Sequence, residues 1–315
     1  MKMPDEKPPL GPIEPGQLPL EKAPDAIWRS IEAALDARDV RDTRVLPRRT
    51  SLFAAWQWAA ASVLTIGAVG AWYATRPELP SWQVSRLEGS AAVDKIKVGD
   101  WLQTDGNSRA RITVGDIGVV DVEPNTRIRL VAASPTEHRL TLARGEISAT
   151  VSAPPRLFLV DTPASTAVDL GCAYKIKTDE SGDGVLRVTS GWVSLEWKGR
   201  ESLVPAGANC RTRSGTGPGT PYFDDASESL QQALAAFDFG KGGEESLGTI
   251  LLQARVRDTL SLWHLLSRVE PRDRVRVVDR MVDLVPLPSG VTREKALQLD
   301  PATLKSWREE LAWKW

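Results

Sequence analysis

The stretch from Ser51 to Ala74, SLFAAWQWAAASVLTIGAVGAWYA, constrains this chain more than any other, because it decides which segments can ever meet. Its 24 residues include no Asp, Glu, Lys or Arg, and the one side-chain amide, Gln57, lies near one end. At about 1.5 Å per residue a helix of that length covers the ~30 Å hydrocarbon layer of a bilayer. Trp56 and Trp58 stand at its start and Trp72 and Tyr73 at its end, where indole and phenol rings sit at headgroup level with their polar tips wet. A core helix is usually shorter and carries a polar face, and a signal peptide is not preceded by a long proline-rich segment of both charge signs. The pattern predicts one transmembrane helix over residues 51–74, with the lipid bilayer as its partner. Arg38, Arg41, Arg44, Arg48 and Arg49 precede the span, whereas Arg76 and Arg86 follow it, so the positive-inside bias puts the N-terminus in the cytoplasm.

Outside that span, the chain's 315 residues, 42% hydrophobic and 26% charged, suffice for one or two cores. A net charge of -1 gives no footprint for nucleic acid, and that partner class is excluded. The two histidines and two cysteines (His138, His264, Cys172, Cys210) are too few and too scattered for an ordinary zinc site. No metal or other cofactor is expected. No nucleophile elbow, Walker loop or H-E-x-x-H pair is present, and catalysis is not indicated. His264, in SLWHLLSR, lies among leucines and reads as a packed histidine, while His138, in SPTEHR, reads as a solvated turn residue.

Residues 1–24 hold seven prolines and no apolar run, the composition of a disordered tail. Residues 25–50 begin with DAIWRSIEAALDARDV, in which Ile27, Ile31, Ala34 and Leu35 recur at helical spacing after Asp25 as N-cap. Its apolar stripe, with Trp28 beside it, has no second helix on that side of the membrane to pack against. It is either a partner-binding helix or one that lies on the membrane surface.

From Trp82 to Arg213 the period becomes two. Runs such as ARITV, RIRLV, RLTLA, ISATV, YKIKT and WVSLEW alternate with turn chemistry at Asp105-Gly106-Asn107, Pro124-Asn125, Arg144-Gly145 and Lys198-Gly199. Ten or so strands at this spacing make an all-β domain over 82–213, whether sandwich, barrel or solenoid. SGTGPGT reads as part of a flexible linker over 214–225. Residues 226–315 are predicted to form an all-α domain, with helices over Ser227–Phe239, Leu247–Arg268 and Arg272–Leu284, and a last one starting at Pro301 with Asp300 as cap.

The β region resembles a FecR domain, the family named for the regulator of ferric-citrate uptake. The strings carrying the likeness are VGDWLQTDGNSRARITV, EPNTRIRL, RLTLARGEISATV, FLVDTPASTAVDLGCAYKIK, VLRVTSGWVSLEW and LVPAGANC. Its marks are Gly99-Asp100 with Thr104, Arg144-Gly145-Glu146, Thr162-Pro163, Asp169-Leu170-Gly171 and Ser190-Gly191. The family's Asp-Gly turn reads Gly115-Asp116-Ile117-Gly118 here, and its Gly-Thr reads Gly171-Cys172. The resemblance implies a bacterial inner-membrane protein, single-pass, with the β domain periplasmic. It implies signalling to a cytoplasmic extracytoplasmic-function sigma factor, as antagonist or co-regulator, with a periplasmic protein partner. The stripe Ile27, Trp28, Ile31 and Leu35 is then the candidate sigma-binding surface.

Two other classes fit the residues, a membrane-tethered periplasmic scaffold or envelope-assembly protein and a glycan- or peptidoglycan-binding module using the chain's 12 tryptophans. In an oxidising compartment Cys172 and Cys210 are either a disulfide pair or two buried free thiols on different strands.

Overall fold

Alternating patterning becomes strand wherever one face can be buried, and from Ser81 onward nearly every second residue is. In a computed structural model that describes residues 80–89 and 94–315, sixteen strands precede six helices. The strands are β1 Ser81–Glu88, β2 Lys95–Lys97, β3 Trp101–Gln103, β4 Arg109–Val114, β5 Gly118–Val122, β6 Arg127–Ser134, β7 Glu137–Val151 and β8 Phe158–Asp161. They continue as β9 Thr166–Asp169, β10 Ala173–Thr178, β11 Gly184–Ser190, β12 Trp192–Trp197, β13 Arg200–Pro205, β14 Ala208–Arg213, β15 Gly217–Pro218 and β16 Tyr222–Phe223. The expected mainly β architecture followed by helices is present. The transmembrane span over 51–74 and the helix carrying Ile27, Trp28, Ile31 and Leu35 lie outside the described residues. Among the described residues no helix is long and apolar enough to cross a membrane.

Strand β7 organises both sheets. Its first half pairs with β6 and β8, and its second half with β5 and β10. One sheet therefore runs β3-β6-β7-β8-β9-β12-β13 and the other β2-β1-β4-β5-β7-β10-β11-β14, with β15 and β16 on β14. Neighbouring strands run antiparallel in both sheets except β7 and β8, which are parallel. Arg144-Gly145, expected to be a turn between two strands, lies inside this single strand. Gly145 (φ 96°) lets the backbone pass over Thr126, where a Cβ would collide, and Thr126 Oγ1 accepts from Glu146 N at 2.9 Å. Thr104 Oγ1 in turn accepts from Thr126 N at 2.9 Å and donates to Glu123 O at 2.6 Å, so the crossing is pinned by two buried threonines. The inward residues of both sheets form one core, among them Ile112, Val120, Ile128, Leu140, Ile147, Phe158, Ile176 and Leu195. His138 opens β7 against Trp82, ring centroids 5.7 Å apart, and is half-buried rather than a solvated turn residue.

The helices are α1 Glu228–Phe239, α2 Gly243–Gln253, α3 Thr259–Leu265, α4 Pro271–Leu284, α5 Arg293–Leu297 and α6 Pro301–Leu311. Ser227 caps α1 and Asp300 caps α6 through its carboxylate on Thr303 N. The single helix read over Leu247–Arg268 is two. Asp258, fully buried, accepts from Arg255 N at 2.9 Å and from Arg255 Nε at 2.8 Å, and this local pairing turns the chain between α2 and α3. Leu230, Leu247, Ile250, Leu262, Val277, Met281 and Trp307 fill a second core between the helices.

The described sheets and helices nonetheless form one compact unit. The segment expected to be a flexible linker is what joins them. Residues 217–223 are buried and carry β15 and β16. Gly219 O accepts from Ser202 Oγ at 2.7 Å on the sheet side, and Pro221 O accepts from Ser261 Oγ at 2.6 Å on the helix side. Glycine and proline here serve close approach, since a Cβ on Gly217 or Gly219 would press into Trp197 or Phe239.

Candidate functional site

The unpaired side of β13, the last strand of its sheet, gathers several buried polar groups, among them Ser202, Thr220, Ser261 and His264. An edge strand offers a row of free N–H and C=O groups, and this one is covered by helices. Leu203 N donates to His264 Nε2 at 2.9 Å, and His264 Nδ1 lies 2.9 Å from Leu260 O. That geometry fixes the tautomer, with the proton on Nδ1. Burial, together with the positive charge of Arg268, depresses the imidazole's pKa to about 3, so the ring is a neutral acceptor throughout the physiological range. The reading of His264 as a packed histidine stands, with a specific task added.

One turn further, Arg268 Nη2 donates to Ser202 Oγ at 2.7 Å and to Glu201 O at 3.0 Å, and its Nη1 donates to Thr220 Oγ1 at 2.8 Å. Asp238, at the end of α1 with its side chain 2% exposed, is the counter-charge. It takes Arg200 Nη2 at 2.8 Å and Thr220 N at 2.6 Å, with Arg268 Nη1 at 3.6 Å. Burial lowers the Arg268 pKa to about 10, which leaves it charged at neutral pH. Arg200, Asp238 and Arg268 carry no sequence motif that singles them out. The signal available was the four-residue spacing of His264 and Arg268, which puts a histidine and an arginine on one face of a leucine-rich segment.

Beside this junction, on the outer face of β12 and β13, opens a cleft of about 520 Å³ lined by Arg139, Arg156, Glu196, Lys198, Arg200 and Glu201 among others. Its guanidiniums already have partners. Arg139 meets Asp161 at 2.8 Å, Arg156 meets Glu196 at 2.8 Å, and Arg200 meets Asp238. A ligand drawn to those guanidiniums would have to displace ion pairs.

The two cysteines are buried free thiols, and the disulfide alternative is corrected. Cys210 lies level with Ile176 but two strands away, and Cys172 is four residues further along β10's line. At ~4.8 Å per strand and ~3.3 Å per residue the separation is on the order of 16 Å, well beyond the ~7 Å a bridge allows. Cys210 Sγ donates to Gly219 O at 3.1 Å, and burial pushes its thiol pKa up to about 12. Cys172 Sγ donates to Asp169 Oδ2 at 2.7 Å, while Gly171 N donates to Asp169 Oδ1 at 2.6 Å. Burial raises both the Cys172 thiol and the Asp169 carboxyl above their ordinary values. Thiols held protonated are poor nucleophiles. Cysteine in place of the threonine of the resembled motif thus keeps the small donor that closes the Asp169-Leu170-Gly171 corner. Among the described residues no group of three or more His, Cys, Asp or Glu could hold a metal ion.

The region from the turn before β3 into β12, including the β7 crossing and the Asp169 corner, is the part with known likeness. Residues 100–194 match the family model FecR protein. The FecR region is therefore the body of the two sheets, while β13 to β16 and the helices lie beyond the match. Comparison with curated proteins gave no match. Among solved structures, two crystal structures of a candidate anti-sigma factor from Parabacteroides distasonis ATCC 8503 align at 17% identity with a TM-score of 0.36. The alignment covers 42% of this chain and 63% of that one. Likeness that slight carries no argument about fold or partner.

Proposed function

We propose that the protein is a single-pass inner-membrane regulator that relays a periplasmic signal to a cytoplasmic sigma factor of the extracytoplasmic-function class. The observation that carries the reading is the FecR match at residues 100–194, placed after an uncharged 24-residue stretch in the same chain. In this reading the N-terminus is cytoplasmic, residues 51–74 cross the bilayer, and the sheets and helices meet a periplasmic protein partner. The protein acts by binding and not as an enzyme. The cytoplasmic contact is the stripe Ile27, Trp28, Ile31 and Leu35.

Covering three aliphatic side chains contributes ~1.5–3 kcal/mol each, so a charge in the middle of the stripe removes most of a micromolar interaction. The experiment is co-purification of the detergent-solubilised full chain with the candidate sigma factor, comparing Ile31→Asp with Glu32→Ala. We expect Ile31→Asp to weaken the complex by about 100-fold or more and Glu32→Ala to leave it near native. Equal binding by both variants, or none by the native chain, would sink the sigma-factor role. A reporter active only outside the cytoplasm, fused after Trp315, checks the orientation independently.

A further inference from the structure

The opposite end of the sheets differs in kind from the β13 edge. There β2 and β3 end the two sheets, each paired on one side only, to β1 and β6 respectively. Trp101, the first residue of β3, is 44% exposed, large for an indole in a β-domain. Its cross-strand partner is Arg129, whose guanidinium lies 5.8 Å from the ring, and Arg127 stacks on it at 4.2 Å. Val131, next along the outward face of β6, is 39% exposed, and Lys95 and Lys97 on β2 are exposed. The patch joins an aromatic and an aliphatic side chain to four cations. Carboxylates are nearby, since Asp94 adjoins β2 and Asp100 lies between Lys97 and Trp101, but the Asp100 carboxylate is turned to Lys97 N at 3.1 Å.

This corner is also where the described chain begins. Val98 N donates to Pro80 O at 3.1 Å, Gly99 N donates to Leu130 O at 2.8 Å, and Arg129 Nε donates to Gly99 O at 3.1 Å. Pro80 is thus tied through the neighbouring residues Val98 and Gly99 to the strand that bears Arg127, Arg129 and Val131. In the sequence only residues 75–79 separate Pro80 from the apolar stretch 51–74, and five residues reach at most about 18–20 Å. If 51–74 spans the bilayer, the Pro80 corner is held within that distance of the headgroups.

We propose that the corner formed by β2, β3 and β6 is a membrane-docking surface for anionic lipid headgroups, with Trp101 at the interface and Arg127, Arg129, Lys95 and Lys97 on the phosphates. This rests on the single-pass membrane reading of the chain. Indole rings favour the headgroup layer, and each basic side chain near an anionic surface shifts partitioning by about five-fold. Arginines stacked on the indole bring the aromatic face and the charge to the same plane, so one contact satisfies both. Docking would hold the sheets in one orientation on the bilayer and leave the β13 end, with its cleft and helices, facing away from it.

The test uses the full chain in nanodiscs, one set rich in phosphatidylglycerol and one of phosphatidylcholine alone, with amide hydrogen exchange read on peptides covering 95–103 and 127–131. Exchange on those peptides should be slower in the anionic discs by about five-fold or more, and the difference should shrink at high salt. The Arg127→Gln/Arg129→Gln variant should lose about 25-fold in docking and abolish the difference, while unchanged exchange over Arg200–Pro205 shows that its fold is intact. Equal exchange in the two lipids overturns the proposal. A chain that does not co-elute with either disc overturns the membrane reading, and this inference with it. Protection that appears only on adding soluble peptidoglycan fragments, the same in both lipids, overturns the lipid in favour of a sugar stacked on Trp101.

Discussion

The two ends of this β-structure solve the same problem in opposite ways. At β13 the open edge is closed by buried polar chemistry, in which Leu203 N meets His264, and Arg268 and Asp238 bind backbone and side chains of both β13 and Thr220. At β2 and β3 no described element covers the edge, the strands are three residues long, and their outward positions are Lys95 and Lys97 on β2 and Trp101 and Gln103 on β3, beside the arginines of β6. Short, charged edges resist pairing with other chains, while covered edges bind a second layer permanently. One sheet end is therefore committed to the molecule's own helices, and the other is open among the described residues.

The widest gap between the ends should appear on removing the buried counter-charge. Asp238→Ala leaves Arg268 and Arg200 unbalanced at a site where the Asp238 side chain is only 2% exposed. A cost of about 3–5 kcal/mol is expected, read as a lower urea midpoint for the purified chain. A change below ~1 kcal/mol would mean that the junction is solvated and the contrast between the ends illusory.

A smaller effect should come from the histidine. His264→Phe leaves the Leu203 N–H buried without an acceptor and is expected to cost about 1–3 kcal/mol. It also carries a pH signature. The folded imidazole has its pKa depressed from 6.5 to about 3, so between those values the unfolded chain binds more protons than the folded one. This contribution to stability is complete above pH ~6.5 and falls as the pH drops toward 3, with a slope of up to ~1.4 kcal/mol per unit. His138, also lowered by burial, pulls the same way, whereas the raised Asp169 pulls in the opposite one. The difference between native and His264→Phe unfolding curves at pH 7 and pH 5 isolates the term. Parallel curves would show that the ring titrates in the fold as it does in the unfolded chain, its pKa not depressed.

The smallest effect belongs to the open end. Trp101→Ala removes an indole that is 44% exposed and stacked only on solvated arginines, and should change stability by no more than about 0.5–1 kcal/mol. A loss comparable to that of Asp238→Ala would show that this corner is part of the core, and would leave no free surface there to dock.

Much of this architecture could be read from the residues. Alternation over ARITV, RIRLV and WVSLEW predicted strands because a half-buried strand needs an apolar residue at every second position, and those strands are present. Asp300 announced its helix because a capping oxygen acts on N–H groups two or three residues away. Where the readings failed, the deciding contact was distant. Arg144-Gly145 has turn chemistry, yet Thr126, 19 residues earlier than Gly145, holds the glycine inside one strand that serves two sheets. SGTGPGT has linker composition, yet Ser202, Ser261 and Asp238 fix its far end from both sides. The cysteine pairing was open until register placed Cys172, just before β10, two strands from Cys210 on β14.

By itself the sequence determined the uncharged 51–74 stretch, the switch of period at Trp82, the switch to helical spacing after β16 and the strings that match FecR. Each is carried by neighbouring residues, and periodicity needs nothing else. Tertiary structure alone decided that sheets and helices are one body, that His264 is an acceptor for an edge strand, and that Arg127 and Arg129 lie over the Trp101 ring. Those facts depend on which strand lies at an edge and what lies across from it. Strand order is set by pairing between residues tens of positions apart, which no local pattern encodes.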